Sequence, residues 1–381
     1  MSNRHVYEIT GPDWDNAHTV VEDEVWRSDG LMDDAGQLVA TWNEPAPYTR
    51  STPMRVEAPI VWRGFGEAPS AVEVTVTLAL RSETVPDLPV VALGQQTQTV
   101  RPLESWAEGD LNTVLFSDVV IDTPQLPDRV DLWTLDLVWA FAGDGREPLR
   151  SSHLLPTSWR DPIPDAPLYR EPVVWSAQWA AGLWEDHGVG DPRSEEMAHL
   201  ISLSQLRGSR TLEDQGYTYG GFARPPRDQI DDRVNVFLDF RRSACGEFRG
   251  LLMALIEFHG IDAHWVWFRF PDHGDDKYSF YKTRTISAVG RETKNWYDTN
   301  HIIVGVGERV YDPTYTVSKQ SWGEYEDWMF EKYCLGEVTP CGGSRGWCHT
   351  APEDEDETCI DNPPGWQDDW FLEVIIADNY K

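Results

Sequence analysis

The chain has 381 residues, 40% of them hydrophobic and 12% aromatic, enough for packed cores in more than one domain and too much for a wholly disordered chain. Its 64 acidic side chains against 32 basic ones give a formal charge of −32; phosphate binding needs clustered Lys and Arg, so neither nucleic acid nor an anionic membrane is an expected partner. The N-terminal Met1-Ser2-Asn3-Arg4-His5-Val6-Tyr7 has no signal-peptide core, and no apolar run reaches the ~18 residues of a bilayer span, so a cytoplasmic protein is expected, with export by a non-Sec route as the alternative. Oligomeric state is not legible.

The first 160 residues read as β. Val72, Val74, Val76, Leu78 and Leu80 alternate with Glu73, Thr75, Thr77 and Ala79, the pattern of a half-buried strand. Trp133, Leu135, Leu137, Trp139 and Phe141 form a second such strand, and 56–62 and 114–121 are further candidates between Pro- and Gly-bearing turns. The expected architecture is an antiparallel β-sandwich over residues 1–160. Pro162, Pro164 and Pro167 then interrupt any ladder or helix, marking a linker at 158–167.

Beyond the linker, 172–186 and 192–206 each carry Pro in the first turn and Gly soon after the last, as helices do. Trp175, Trp179 and Trp184 share a face of the first, a spacing that reads as core. Residues 215–219 read as a short extended segment. Phe248, Leu251, Leu252, Leu255 and Ile256 then recur at helical spacing, so a helix begins near Cys245 and ends at Gly260. Cys245 thus sits among unpaired N–H groups at the positive end of the helix dipole, which favour thiolate and can hold an oxyanion.

A central strand is expected over 264–270. Residues 296–304 and 308–315 are β-prone and flank Gly305-Val306-Gly307, a hairpin signal. With Val306 and Gly307 as the central turn residues, His301 stands directly opposite Asp312, at a Cβ separation of about 4.5–5.5 Å. A carboxylate there fixes the imidazole tautomer while the other ring nitrogen faces the thiol. Taken singly, a Cys at a helix start is a small hydrophobe, a strand His is a core residue and an Asp before Pro opens a turn. Their joint order and flanks point instead to thiol acyl transfer.

Cys245-Gly246-Glu247-Phe248, the helix running to His259-Gly260-Ile261-Asp262-Ala263, Asn300-His301 and Tyr311-Asp312-Pro313-Thr314 resemble the core of the transglutaminase-like superfamily over roughly 170–330. The resemblance implies a papain-like α+β catalytic domain at 161–330, with Cys245 as nucleophile, His301 as base and acid and Asp312 as its orienting group. The fold class expected for the whole chain is accordingly α+β, a β-sandwich followed by this domain. The Cys-Gly-Glu-aromatic string is also similar to peptide:N-glycanases, although their paired Cys-x-x-Cys metal sites are missing here. No Gln-Cys-Trp string flanks the nucleophile, which favours hydrolysis of a protein or peptide amide over crosslinking. An inactive binding or assembly protein that keeps the triad is the alternative of another class, and glycan removal from Asn side chains, as the likeness to peptide:N-glycanases implies, is a narrower one.

Residues 331–381 form a cysteine-bearing acidic tail expected to pack on the catalytic domain. Cys334, Cys341, Cys348 and Cys359 suit two disulfides, a structural zinc or free thiols. The acidic runs 353–357 and 272–276 lack the spaced ligands of a calcium loop and read as solvated faces. No P-loop or dinucleotide fingerprint is present, and no cofactor is implied.

Overall fold

The alternating segments are strands in the computed structural model, which describes residues 6–9, 14, 17–18, 45–108, 111–143, 147–187, 194–219, 233–269, 279–283, 288–290, 297–298, 300–337 and 373–377. Cys341, Cys348, Cys359, the Cys334 side chain and both acidic runs lie outside the described residues. The chain folds as two units, one of Met1–Asp191 with Phe258–Gly260, the other of Pro192–Glu257 with Ile261–Lys381.

Unit 1 carries β1 (Val6–Ile9), β2 (Tyr48–Thr49), β3 (Pro53–Ala58), β4 (Ile60–Gly64), β5 (Val72–Ser82), β6 (Val91–Val100), β7 (Pro102–Glu108), β8 (Leu111–Phe116), β9 (Val119–Gln125), β10 (Leu132–Phe141) and β11 (Leu149–Ser158). They form sheets of order β1-β4-β8-β7 and β2-β11-β10-β5-β6 and a β3-β9 pair. The strictly alternating burial of β5 buries Val74, Val76, Leu78 and Leu80 with Trp133, Leu135, Leu137 and Trp139 of β10 in one core. Residues 56–62 are two strands rather than one. Pro59 breaks them because it has no N–H to give a ladder, and 114–121 breaks at Ser117-Asp118 opposite, so β3 pairs with β9 while β4 pairs with β8.

Helix α1 (Arg170–His187) packs on β10 and β11, and Leu132, Leu168, Val173, Ala177 and Phe258 share a small core. The division between units therefore falls after this helix and not in the proline-rich segment before it. Trp175 and Trp179 stack at 6.1 Å on α1. His259 is fully buried; its Nδ1 accepts the Trp159 N–H at 3.2 Å and its Nε2 lies 2.9 Å from Ser176 Oγ. Burial pushes its pKa down to about 3, so the ring is neutral and structural.

Unit 2 opens with α2 (Ser194–Thr211) and a 3-10 turn at Leu212–Gln215, followed by β12 (Thr218–Tyr219), α3 (Arg233–Phe240), β13 (Arg242–Ser243) and α4 (Cys245–Glu257). The remaining elements are β14 (His264–Arg269), β15 (Ser279–Thr283), β16 (Tyr297–Asp298), β17 (Asn300–Val306), β18 (Arg309–Asp312), β19 (Val317–Lys319), α5 (Trp322–Lys332), β20 (Tyr333–Glu337) and β21 (Glu373–Ala377). The main sheet has order β19-β18-β17-β14-β21, antiparallel throughout, with β16-β15-β20 as a smaller one. Helix α4 packs against α3, α2 and β17. Its apolar stripe, Phe248, Leu251, Leu252, Leu255 and Ile256, is essentially unexposed. The main sheet is antiparallel and helices pack with it, and the fold is α+β. Among the described residues no helix is long and apolar enough to cross a membrane.

Gly260 follows α4 at φ +67, and a Cβ there would collide with the Asp161 carbonyl oxygen and with Arg160 Cβ at 2.8 Å. Gly307 also has positive φ, +57, but open space around it. Gly260→Ala should lower the unfolding free energy in urea by roughly 2 kcal/mol or more, whereas Gly307→Asn, a residue that tolerates this conformation, should lose less than about 1 kcal/mol.

Candidate functional site

Cys245 is the first residue of α4 and is 8% exposed. The helix starts there for a local reason. Ser243 is tied into a short parallel pairing with Tyr219, and the Glu247 carboxylate reaches back to accept the Ala244 N–H at 2.9 Å. This is the acidic half of a capping box, with Ala244 at the N-cap. The Phe248 N–H donates to the Ala244 carbonyl at 3.3 Å, closing the first turn. Phe248 in turn meets Phe237 edge-on at 5.0 Å, and Phe237 stacks on Tyr217 at 4.7 Å, so the Cys245 end of the helix is held by aromatic packing.

His301 lies in β17, flanked by β14 and β18, with Phe268 as its cross-strand partner on β14. It has no exposed surface, and neither has Asp312 at the end of β18. His301 Nε2 is 2.9 Å from Asp312 Oδ2. A carboxylate only accepts, so Nε2 carries the proton and donates. The ring's other nitrogen, Nδ1, makes no completed hydrogen bond among the described residues. The Cys245 thiol is nevertheless among the groups that raise the ring's pKa, after Asp312, so it lies near His301 without a completed hydrogen bond to Nδ1. His301 and Asp312 therefore meet through a hydrogen bond, with Cys245 near the same ring.

They meet by a different register from the expected one. Val306 pairs with Arg309 and Val304 with Tyr311, so the two-residue turn is Gly307-Glu308 rather than Val306-Gly307. Continuing that register sets Asp312 opposite Ile303. His301, two residues away on the same face, reaches the carboxylate diagonally, and long side chains span that distance. A shift by one residue at the turn changes the pairing by two, so no side chain changes face. The first turn position takes positive φ, as a II′ turn requires, and Gly307 supplies it. Gly305 is kept in the strand by the ring of its β14 partner His264, which leaves no room for a Cβ.

Asp312 fills two roles at once. Its Oδ1 accepts the backbone N–H groups of Thr314 at 2.9 Å and Tyr315 at 3.3 Å, the turn expected of Asp before Pro313. Its Oδ2 accepts His301 and also the Tyr325 hydroxyl at 2.6 Å. The hydroxyl of the neighbouring Tyr311 is hydrogen-bonded with His199 Nδ1 of α2 at 2.7 Å; burial raises Tyr311 to about 12 and lowers His199, so the phenol keeps its proton and the contact ties the strand to α2. Tyr315 lies 5.2 Å from the His301 ring, and Tyr219 and Trp328 pack against Tyr315. Tyr315, Tyr325 and the capping role of Glu247 are not legible in the sequence. A sequence signal for α5 does exist, since Ser321-Trp322-Gly323-Glu324 is a capping-box string, with the Glu324 N–H on Ser321 Oγ at 3.3 Å. Among the described residues no group of three or more His, Cys, Asp or Glu side chains is arranged to hold a metal.

No protein-family profile and no curated protein matches the chain. Among solved structures it is similar to red sea bream transglutaminase, at 11% identity and a TM-score of 0.30, covering 74% of this chain and 51% of that one. It is also similar to the superoxide reductase (neelaredoxin) of Ignicoccus hospitalis, at 18% identity and a TM-score of 0.17, over 30% of this chain and 76% of that one. A family 123 glycoside hydrolase from Clostridium perfringens aligns at 9% identity and a TM-score of 0.19, over 56% and 37%. The chain spans about half the length of the transglutaminase. At such TM-scores a likeness assigns neither fold family nor activity.

Burial alone pushes the His301 pKa down, but the Asp312 charge and hydrogen bond, reinforced by Cys245, carry it well above 6.5. The ring should therefore hold its proton at neutral pH, and Asp312→Asn should drop its titration below the ordinary range, read from the ring nitrogen shifts by NMR. Because the folded ring binds its proton more tightly than the unfolded one, the stability it adds is complete below about pH 6.5 and fades as pH rises through the folded-state pKa. Thermal unfolding against pH should show that decline in the parent protein and not in Asp312→Asn.

Proposed function

We propose that this chain is a cysteine-dependent acyl-transfer enzyme that cleaves amide bonds of proteins or peptides through a thioester on Cys245. The observation that carries the reading is the buried His301–Asp312 hydrogen bond with the Cys245 thiol acting on the same ring. The strings around these residues, which resemble the transglutaminase-like superfamily, support the same chemistry, as does their spread over α4, β17 and β18.

In the first step the Cys245 sulfur, its proton held by His301, bonds to the substrate carbonyl carbon. The oxygen takes the electron pair, and N–H groups in the first turn of α4 stabilise it. The C–N bond then breaks as His301 Nδ1 gives its proton to the departing amine. In the second step Nδ1 takes a proton from water, the water oxygen bonds to the carbonyl carbon, and the C–S bond breaks. The sulfur leaves as thiolate beside protonated His301, which restores the starting pair, and the product departs as a carboxylic acid. Asp312 holds the imidazole plane and offsets its positive charge throughout. Hydrolysis is favoured over transfer to a second amine.

The test uses p-nitrophenyl acetate as an acyl donor and intact-mass detection of the adduct. One acetyl group should appear on Cys245, with none in Cys245→Ala and accumulation slowed at least ~100-fold in His301→Ala. A protein that takes up no acyl group, or takes it up equally without His301, is instead a binding protein carrying an inert constellation.

A further inference from the structure

Tyr325 stands outside the three residues just described but touches one of them. It lies in the second turn of α5, fully buried, and its position follows from the start of that helix: the Glu324 N–H rests on Ser321 Oγ, and the Tyr325 N–H donates to the Ser321 carbonyl at 3.1 Å. Trp328, one turn further, packs on its ring at 5.4 Å. Helix α5 also packs against β18 and β19, the two strands that flank the Asp312 turn. The phenol is thus delivered to one point by a capped helix, and that point is Asp312 Oδ2, the oxygen that already accepts His301.

A packing tyrosine has no need of this contact, and a carboxylate that serves only a turn has no need of a second donor on Oδ2. Two donors on one oxygen have two consequences. They fix the directions of both lone pairs, which orients the carboxylate and through it the imidazole plane. A short phenol–carboxylate hydrogen bond also draws negative charge toward the tyrosine, leaving less to stabilise an imidazolium.

We propose that Tyr325 is a positioning residue for the reacting pair: its hydroxyl shares Asp312 Oδ2 with His301, aligning the ring and keeping its proton exchangeable. The inference rests on the acyl-transfer reading. Of the charged and titratable groups on the elements packed against β17, which include His264 on β14, Glu247 and Arg249 on α4 and Arg309 on β18, those that act on the His301 proton are Cys245 and Asp312. Tyr325 acts through the second of these. The step most sensitive to it is deacylation, where neutral His301 must take a proton from water.

Acetyl-Cys245 is formed with p-nitrophenyl acetate, excess ester is removed, and loss of the acetyl group is followed by mass against pH in the parent protein and in Tyr325→Phe. With the phenol gone, the Asp312 charge falls on His301 alone. The pH limb of deacylation should move upward by about half a unit, with a several-fold slower reaction at neutral pH that is regained at higher pH. A merely loosened core slows the reaction at every pH and leaves the limb in place; an unmoved limb, whatever the rate, overturns the proposal. If Tyr325→Phe does not fold, a fluorotyrosine at position 325, a stronger donor of nearly the same shape, should move the limb downward, and an unmoved limb there overturns it equally. A parent protein that forms no acetyl-Cys245 defeats the acyl-transfer reading itself, a separate result from an acetyl-enzyme whose deacylation ignores Tyr325.

Discussion

The hydrogen bond between His301 and Asp312 is the constraint around which the second unit is organised. Both groups have no exposed surface, and a charge withdrawn from water is tolerated only when its remaining lone pairs are satisfied. Asp312 meets that condition with four donors, namely His301, Tyr325 and the backbone N–H groups of Thr314 and Tyr315. The donors come from separate structural decisions: the β17–β18 register, the capping of α5, and the turn that Pro313 opens. A slip in any one leaves a buried carboxylate short of a partner. Strand pairing, helix start and turn are thereby coupled to the same pair of oxygens.

The Cys245 end of α4 obeys a second local rule. Glu247 caps the backbone of Ala244 while the hydrophobic stripe of α4 buries itself against β17, α2 and α3. The carboxylate that starts the helix thus sits two residues from the thiol. The first-turn N–H groups that it leaves uncapped are those that the proposed acyl-transfer chemistry would use for an oxyanion. Catalysis by these residues is a reading of geometry, since the likenesses to solved structures are too distant to lend it an activity.

Much of this is legible in the chain, for identifiable reasons. The 3.6-residue spacing of Phe248, Leu251, Leu252, Leu255 and Ile256 fixes α4, and strict alternation fixes β5 and β10, because each pattern fits one backbone period only. The hairpin is legible as a hairpin, but its two glycines compete for the turn. Gly305 is assigned to the strand by His264 on a strand distant in sequence, and no local pattern reports that contact. The same limit hides Tyr325, since an aromatic residue one turn into a helix looks like any core residue until its hydroxyl is seen on Asp312. Pro59 does carry a signal, and residues 56–62 divide at the position where a proline removes a ladder donor.

The central claim is that Cys245, His301 and Asp312 act as one unit, and a double-mutant cycle on the acetylation of Cys245 tests it most directly. If Asp312 acts only through His301, the double variant His301→Ala with Asp312→Asn should acetylate no more slowly than His301→Ala alone. A double variant whose loss is the product of the two single losses would mean that the carboxylate and the imidazole act independently, and would contradict the account.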